Sequence, residues 1–314
     1  MKKISIAIPT RNEEDNIQPL VECIRTIFKE KLTEYDYEII ISDNKSNDGT
    51  RRIIREICKK DRKVKAIFNA NSFSYSAINA MISSTGECTL LMPADFQDPP
   101  ELIPDFVHKW EEGFDAVVGV KSASKENPLM FWIRKRYYSL VRKISDVNLI
   151  ENFSMFALYD RKMIKALRQV TDPLIYLRGL LVEFTDSIAI IEYTQNKRVR
   201  GKSSNNIYRL YDFAMRGITS YSKVPLRMAI FTGMIGCIVG VITGLYYLIK
   251  KFVYWSTFDA GIIPLVVLIV LFGSLQMIVL GVMGEYIMNI NVRVMNHPKI
   301  VEDERINFED IELR

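Results

Sequence analysis

The sequence has little of what most metal centres, redox sites and glycine-rich phosphate loops are built from. Its only two histidines are His108 and His297, which disfavours a histidine-centred metal site or catalytic triad. Its four cysteines have neither CxxC nor Cys/His spacing, a pattern that indicates a reducing compartment and no zinc site. The motifs GxGxxG and GxxxxGKS/T are absent from the sequence, so a dinucleotide-binding Rossmann domain and a P-loop enzyme are disfavoured. Any phosphate group would therefore have to be bound by a metal ion and by cationic side chains.

The charges of the chain are unevenly distributed. The formal net charge is +5, but residues 134–142 (RKRYYSLVR) carry basic and no acidic groups, whereas the segment from Val301 onward is mainly acidic. The basic stretch belongs to residues 125–146, for which we predict a helix. Three interpretations of this helix are open: a surface helix with solvated cations, a cationic patch that faces a membrane, or a patch that binds nucleic acid. The N-terminal apolar run is too short for a signal peptide.

Two uncharged apolar runs, residues 228–249 and 261–284, follow in the last third of the chain. A membrane span needs roughly 20 such residues, and both runs are apolar around the whole helix circumference, unlike most helices of a soluble core. The short link between them predicts a transmembrane hairpin whose outer ends lie on one side. Lys and Arg crowd the segment before the first run, so the positive-inside rule places residues 1–227 and the C-terminal tail in the cytoplasm. The hairpin also argues against nucleic acid as a partner.

The segments beside the hairpin complete the predicted domain organisation. Residues 206–222 have apolar side chains at helical spacing opposite charged ones, which predicts an amphipathic helix on the membrane surface; packing on the soluble domain is the alternative. Small residues along both runs permit close packing within the hairpin or between copies in a homo-oligomer. We expect a soluble domain (residues 1–204), an interfacial helix (205–226), the transmembrane hairpin (227–287) and a cytoplasmic tail (288–314).

The first part of the chain alternates segments with strand and helix periodicity. Predicted strands are residues 4–9, 38–42, 64–68, 89–92 and 116–120, and predicted helices are residues 14–30, 50–58, 75–84 and 101–110. Alternating units of this length predict an α/β fold with a doubly wound, mostly parallel sheet.

Polar side chains stand where three of these strands end. The sequence TRNE follows the first strand, Asp43 the second and Asp95 the fourth. In open α/β sheets, ligands bind at this edge. Extended backbone after the fourth strand would point the oxygens of Asp95 and Gln97 to one side, where they could share a hard divalent cation. For this stretch alone, a solvated strand end with a Pro-Pro turn is the alternative.

Several motifs in this order resemble one known family. They are IAIPTRNEEDNI, ISDNKSNDGT, MPADFQDPPELI, the basic RVRGKSS loop, ITSYSKVPLR before the first apolar run and GEYI at the end of the second. Together they resemble family 2 glycosyltransferases of the polyprenyl-phosphate type, which include dolichol-phosphate mannose synthase and the bactoprenol glucosyltransferases. The resemblance covers nearly the whole chain and implies a nucleotide-binding GT-A fold. It also implies transfer of one sugar from a nucleotide sugar, expected to be UDP-linked, to a polyprenyl phosphate with inversion at the anomeric carbon.

The resemblance implies a donor site at the strand ends. Pro9, Arg11 and Glu13 match residues that border the base and ribose, although Arg11 stands where the family usually has Tyr. Asp43 matches the aspartate that reads the base edge. The donor diphosphate would be clamped by the basic loop, in which Arg198 and Arg200 match the family. Ser204 stands where the family has a Lys, and Lys202 is expected to compensate for it.

The metal site implied by the resemblance departs from the family pattern. Asp95 matches the last acid of the DxD motif and Gln97 the ligand that follows, so the pair would hold Mg²⁺ or Mn²⁺. Pro93 stands where the family has the first acid, which removes one metal or ribose contact. Asp98 is expected to stabilise the turn or to support the metal ligands without touching the metal.

The acceptor side departs from the family more strongly. The implied ligands of the lipid phosphate are all basic: Lys121, Arg134 and Arg136. The family's Asp and Arg in a GDFRLMDRK motif become Met155 and Ala157, and that Asp is a candidate general base. A phosphate monoester has a second pKa of about 6 and is an anion at neutral pH, so it can attack without a base. Catalysis then depends on alignment and on the cations at the leaving diphosphate, for which we expect Asp95 with its metal, Arg198 and Arg200.

Two other functions remain open at this point. The first is a membrane-anchored glycosyltransferase with a non-lipid acceptor, which the missing Asp-Arg pair favours. The second is a degenerate transferase-like protein that binds a ligand without turnover, which Pro93 and Met155 favour.

Overall fold

The computed structural model describes residues 1–70, 75–124, 136, 143–145, 147–173, 175–196, 215, 217–253, 263–295 and 300–308. The chain divides into two compact units. The sheet unit consists of Met1–Arg142, Val147–Asn206 and His297–Arg314, and the helical unit of Lys143–Asp146 and Ile207–Asn296.

Within the described residues, the sheet unit is built on one 8-stranded sheet. The strands are β1 (Lys3–Thr10), β2 (Asp36–Asp43), β3 (Val64–Asn69), β4 (Cys88–Leu91), β5 (Ala116–Ser124), β6 (Phe153–Asp160), β7 (Ile188–Gln195) and β8 (Glu302–Ile306). Their order across the sheet is β7-β5-β6-β4-β1-β2-β3-β8. The pairs β1–β2, β1–β4, β2–β3 and β5–β7 are parallel, whereas β6 runs antiparallel to β4 and β5, and β8 antiparallel to β3.

Helices cover both faces of this sheet. They are α1 (Ile17–Glu30), α2 (Thr50–Lys60), α3 (Ser76–Ile82), α4 (Ile103–Glu111, after a 3-10 turn at Pro100–Leu102), α5 (Arg161–Gln169) and α6 (Leu177–Phe184). One buried cluster joins the sheet to α1, α2 and α4, and a second joins it to α3, α5 and α6. The predicted doubly wound, mostly parallel α/β fold is therefore confirmed.

The central strands are apolar without interruption because both of their faces are covered. In β2, Ile39 and Ile41 belong to the first cluster, whereas Ile40 between them belongs to the second. Strand β1 alternates in the same way, with Ile6 on one face and Ala7 on the other. Such continuous runs are typical of parallel strands buried on both sides.

The structure adds elements that the periodicity did not predict. Strand β6 enters the sheet antiparallel between β4 and β5, and α5, α6 and β7 follow it. Within residues 288–314, predicted as a cytoplasmic tail, Glu302–Ile306 forms β8 at the edge of the sheet. The sequence did not predict this strand because the segment is acidic instead of apolar. Its acidic side chains are accommodated in the fold by ion pairs with arginines on α2.

The helical unit contains two long apolar helices, α7 (Val224–Val253) and α8 (Ile263–Val294). Candidate spans within them, Val224–Val253 and Leu268–Val294, have mean hydropathies of 2.1 and 1.9, and neither is buried. Both helices are thus long and apolar enough to cross a membrane, and their exposed apolar side chains differ from those of a typical soluble core helix. In the predicted interfacial helix, residues 217–221 are helical, whereas residues 205–214 lie outside the described part of the chain.

Candidate functional site

The carboxyl ends of β1, β2 and β4 meet at one edge of the sheet. Thr10 pairs with Asp43, and Ala7 pairs with Leu91, the last residue of β4. The strands are parallel, so the segments that follow them emerge side by side. The structure therefore brings Pro9, the loop after β1, Asp43 and the segment around Asp95 to the same edge.

Asp43 ends β2 with a fully buried side chain. Its Oδ2 accepts hydrogen bonds from Arg51 Nε at 2.6 Å and from the Ser46 amide at 3.2 Å. Its Oδ1 is also buried, and no donor among the described residues reaches it. An unpaired buried carboxylate oxygen is costly and is rare in native structures, so this atom is a candidate ligand contact.

The loops after β1 and β2 hold each other in place. The Asn12 amide donates to Ser46 Oγ at 2.8 Å, and the Asn47 amide donates to Asn12 Oδ1 at 2.9 Å. Asn12 has φ 55°, a left-handed conformation that asparagine tolerates better than most residues. These reciprocal bonds fix the two loops relative to each other next to Asp43.

The predicted donor residues at the end of β1 and in the loop after it differ in burial and in their contacts. Pro9 and Arg11 are half-buried. Glu13 is buried, its amide donates to Thr50 Oγ1 at 2.9 Å, and its Oε2 accepts from Asn16 Nδ2 at 2.6 Å. These bonds give Glu13 a structural task at the start of α1.

Asp95 and Gln97 are not on extended backbone, and that premise of the metal prediction is wrong. Strand β4 ends at Leu91, and Phe96 between the two residues has φ 55°. The Gln97 amide donates to Asp95 Oδ1 at 3.2 Å, which closes a turn stabilised by the aspartate side chain. Both side chains are half-buried. A left-handed conformation at a bulky residue is strained and recurs at functional sites.

Asp98 does more than close the turn. Its side chain is buried, and Tyr193 of β7 donates a hydrogen bond from its hydroxyl to Asp98 Oδ1. The same hydroxyl lies 2.9 Å from Ser154 Oγ of β6. Burial raises the pKa of the Asp98 carboxyl above its ordinary value, although the positive charge of Lys121 and the hydrogen bond from Tyr193 both act to lower it. Spacing alone could not identify Tyr193 or Ser154, because they come from strands that the periodicity did not predict.

The end of β7 is fastened to the same loop. The Asn196 amide donates to the Gln97 carbonyl oxygen at 3.0 Å. Arg198, Arg200 and Lys202 follow directly in the chain, and these three residues and Arg134 lie outside the described residues. In the sequence, the predicted diphosphate clamp thus follows Asn196, which is bonded to the turn of Asp95 and Gln97.

Of the other acceptor-side residues, Lys121 lies on β5, and Met155 and Ala157 lie on β6. Lys121 of β5 is half-buried and donates its amide to the Asn152 carbonyl oxygen at 3.2 Å. Arg136 is exposed. Met155 is half-buried on β6, whereas Ala157 is fully buried and pairs with Leu91.

The donor set at Asp95 and Gln97 suits a hard cation that is only partly held by protein. No group of three or more His, Cys, Asp or Glu that could hold a metal occurs in the described part of the chain. Mg²⁺ commonly takes one or two protein oxygens and completes its shell with substrate phosphates and water. One carboxylate and one amide oxygen on a fixed turn fit that role.

The comparisons with known proteins agree with this fold. The family described as "Glycosyl transferase family 2" matches residues 5–168. The SfII prophage-derived bactoprenol glucosyl transferase of Shigella flexneri is 30% identical over 302 residues, which covers 95% of this chain and 97% of that protein. A prophage bactoprenol glucosyl transferase homolog of Escherichia coli K12 is also 30% identical, covering 95% and 98%.

A solved structure is similar at a lower level. Glucosyl-3-phosphoglycerate synthase from Mycobacterium tuberculosis, crystallised with Mn²⁺ and UDP-glucose, covers 69% of this chain and 78% of its own at 18% identity and a TM-score of 0.49. That similarity is too low to inform the ligands of this chain. The family match covers about the first half of the chain, and the two relatives cover almost all of it. Together they confirm the resemblance. The chain is therefore a glycosyltransferase and belongs to glycosyl transferase family 2.

Proposed function

We propose that this enzyme moves one sugar from a UDP-linked donor to a polyprenyl phosphate, in a metal-dependent and inverting reaction at the membrane. The observation that carries this proposal is the convergence of Asp43 and the Asp95–Gln97 turn at one sheet edge, in a chain with two apolar helices. The bactoprenol glucosyl transferases to which the chain is similar act, by their names, on a polyprenyl acceptor.

Asp43 recognises the base in this proposal. Its free Oδ1 can accept a hydrogen bond, so it suits a base with an N–H donor on its edge, as in uracil. Pro9 and Arg11, half-buried at the end of β1, line the base and ribose side of the cleft, and buried Glu13 supports their loop.

The donor diphosphate lies between the Asp95 turn and the basic loop. Asp95 and Gln97 would hold Mg²⁺ or Mn²⁺, which supplies positive charge to the leaving diphosphate when bound. Arg198 follows Asn196 by only two positions in the sequence. Because Asn196 is bonded to Gln97, this short sequence separation supports Arg198, with Arg200 and Lys202, as the diphosphate clamp.

The reaction is a direct displacement. An oxygen of the lipid phosphate forms a bond to the anomeric carbon while the bond from that carbon to the diphosphate oxygen breaks. The nucleoside diphosphate leaves with the electron pair, and attack from the opposite face inverts the configuration. The phosphate is already an anion, so Met155 in place of a general base does not block the step. Lys121, Arg134 and Arg136 guide the anion to the site.

The enzyme faces the cytoplasm in this proposal. Strand β8, which follows α8, pairs with β3, which precedes α7, so the chain must enter and leave the membrane on one side. Two spans satisfy this condition. The basic residues before α7 then place that side in the cytoplasm by the positive-inside rule.

The test uses the full chain in membrane vesicles supplied with polyprenyl phosphate and radiolabelled UDP-glucose. We expect label in an organic-extractable lipid, lost on EDTA treatment and in Asp95→Asn. Asp105→Asn, the same change at an exposed position on α4, should retain turnover. A labelled product that partitions only into water would instead indicate a non-lipid acceptor. Nucleotide binding without turnover would indicate a non-catalytic binding protein.

A further inference from the structure

Strand β8 brings consecutive acidic residues to the back of the donor site. Glu302 pairs with Asn69 and Glu304 with Phe68, so Asp303 is the extra residue of a bulge and has no partner in the ladder. A bulge turns neighbouring side chains toward the same face and is frequent beside active sites. Here both Asp303 and Glu304 reach arginines of α2.

Arg51 of α2 is held by three acceptors at once. Its Nε donates to Asp43 Oδ2 at 2.6 Å, its Nη1 to Asp303 Oδ2 at 3.1 Å, and its Nη2 to the Asn69 carbonyl oxygen at 2.7 Å. The side chains of Arg51, Asp43 and Asp303 are 22%, 0% and 48% exposed. The guanidinium group thus links the C-terminal strand to the fully buried aspartate at the candidate donor site.

The three nitrogens of Arg51 donate to three different acceptors, and this arrangement determines which oxygen of Asp43 remains available. A guanidinium and a carboxylate prefer a two-bond fork that uses both carboxylate oxygens. Such a fork would occupy Oδ1, the atom that has no donor among the described residues. The Asn69 carbonyl holds Nη2, which lies beside Nε and would complete the fork. Asp303 holds Nη1 on the other side, so the guanidinium is fixed with only Nε on Asp43. Oδ1 is thereby left to a ligand.

We infer that Asp303 is a positioning residue for nucleotide recognition: through Arg51 it keeps Asp43 Oδ1 available to an N–H group of the donor base. This inference rests on the proposed function, and it makes the segment after the membrane helices part of the donor site. In this inference Asp303 acts through Arg51 and not by its own contact with the donor.

Glu304 offers a matched comparison on the same strand. It forms an ion pair with Arg55 at 2.8 Å, and the two side chains are 41% and 40% exposed. Arg55 lies one turn after Arg51 on α2 and stacks on Phe68, and its hydrogen bonds go to Glu304. Loss of either acid removes one ion pair between β8 and α2, but only the loss of Asp303 weakens the hold on the guanidinium that contacts Asp43.

The experiment compares Asp303→Asn, Glu304→Gln and the wild-type full chain in nanodiscs, with polyprenyl phosphate and UDP-glucose as substrates. For Asp303→Asn we expect the donor KM to rise about three- to tenfold with kcat unchanged within about twofold, because the coupling acts on donor binding. Glu304→Gln should change neither constant by more than about twofold, although both variants lower the unfolding temperature by similar amounts. Asp303→Glu, which restores the carboxylate, should return the donor KM to near the wild-type value.

The outcomes separate this inference from the proposed function. Wild-type turnover together with an unchanged donor KM in Asp303→Asn would overturn only the inference. An equal rise in KM for Asp303→Asn and Glu304→Gln would also overturn it, because loosening of β8 would then be the cause. A wild-type chain that neither binds UDP nor transfers glucose would overturn both.

Discussion

Replacement of Asp43 by asparagine tests the core of the donor site with almost no change in volume. In the wild type, Oδ2 accepts from Arg51 and Ser46, and Oδ1 has no donor among the described residues. The introduced amide will turn its oxygen toward Arg51, because its NH₂ group would repel the guanidinium. The NH₂ group then takes the place of Oδ1 and presents a donor to the N–H of the base.

The expected loss follows from one hydrogen bond to a charged acceptor. Such a bond contributes about 1.5–3 kcal/mol, which corresponds to a roughly 10- to 150-fold increase in the Kd of UDP. Folding should be affected much less, because Arg51 keeps its contacts with Asp303 and the Asn69 carbonyl and can still donate to the amide oxygen. The unfolding temperature should therefore fall by only a few degrees, as for a loss of about 1 kcal/mol.

Calorimetric titration of UDP into the full chain in detergent, with Mg²⁺ present, measures this effect. Asp48→Asn is the matched control, since Asp48 Oδ1 accepts from the amide and hydroxyl of Thr50 at the start of α2 and an asparagine oxygen can accept the same two bonds. We expect its Kd to stay within about twofold of the wild type. A Kd for Asp43→Asn within twofold of the wild type would refute the assignment of Asp43 to the base. Equal weakening by both variants would attribute the effect to the loop.

Three further predictions concern stability. Asn307→Ala should cost about 1–3 kcal/mol of unfolding free energy, because Asn307 has φ 63° and its side-chain amide donates to main-chain carbonyls near the end of α2. Denaturant titration measures this loss, and an unchanged midpoint would contradict the prediction. Burial alone would raise the pKa of Glu38, but hydrogen bonds from Lys65, a serine and a main-chain amide lower it. Glu38 therefore stabilises the fold above its ordinary pKa of roughly 4.3, and this stability is lost as the pH falls further through the lowered folded-state pKa. Glu38→Gln should lower the unfolding temperature at pH 7 and flatten its dependence on pH in the acid range, whereas parallel curves would count against the assignment. Asn289→Ala removes a 2.6 Å bond to Thr219 in the helical unit and should cost about 0.6 kcal/mol, with Thr219→Ala adding little to it in the double variant.

The core of the sheet was predictable from the sequence because its strands and helices are local patterns. The runs in β1 to β5 stop at polar or proline residues, and the helical spacing of α1, α2 and α4 matches their buried faces. Parallel strands place their carboxyl ends together, so the gathering of Asp43 and Asp95 at one edge also followed from order alone. Antiparallel β6 was missed because nothing in its local pattern fixes its place between β4 and β5.

Side-chain direction in the site was much less predictable. The sequence suggested that Asp95 and Gln97 share a side of an extended strand, but the chain turns at Phe96 with positive φ. Asp98 was expected to stabilise the turn or to support the metal ligands, and its partner, Tyr193, lies 95 positions later in the chain. Its burial depends on β7 returning to the sheet beside β5.

The sequence by itself determined the fold class, the polar strand ends, the two apolar helices and the family, because periodicity, composition and ordered motifs are properties of neighbouring residues. Only the tertiary structure decided the environment of Asp43. Arg51 joins it to Asp303, which lies 252 positions beyond the arginine and on the far side of both apolar helices in the chain. The physical reason is that an ion pair depends on the distance between two side chains, and a strand that returns from the end of the chain sets that distance without any local signal.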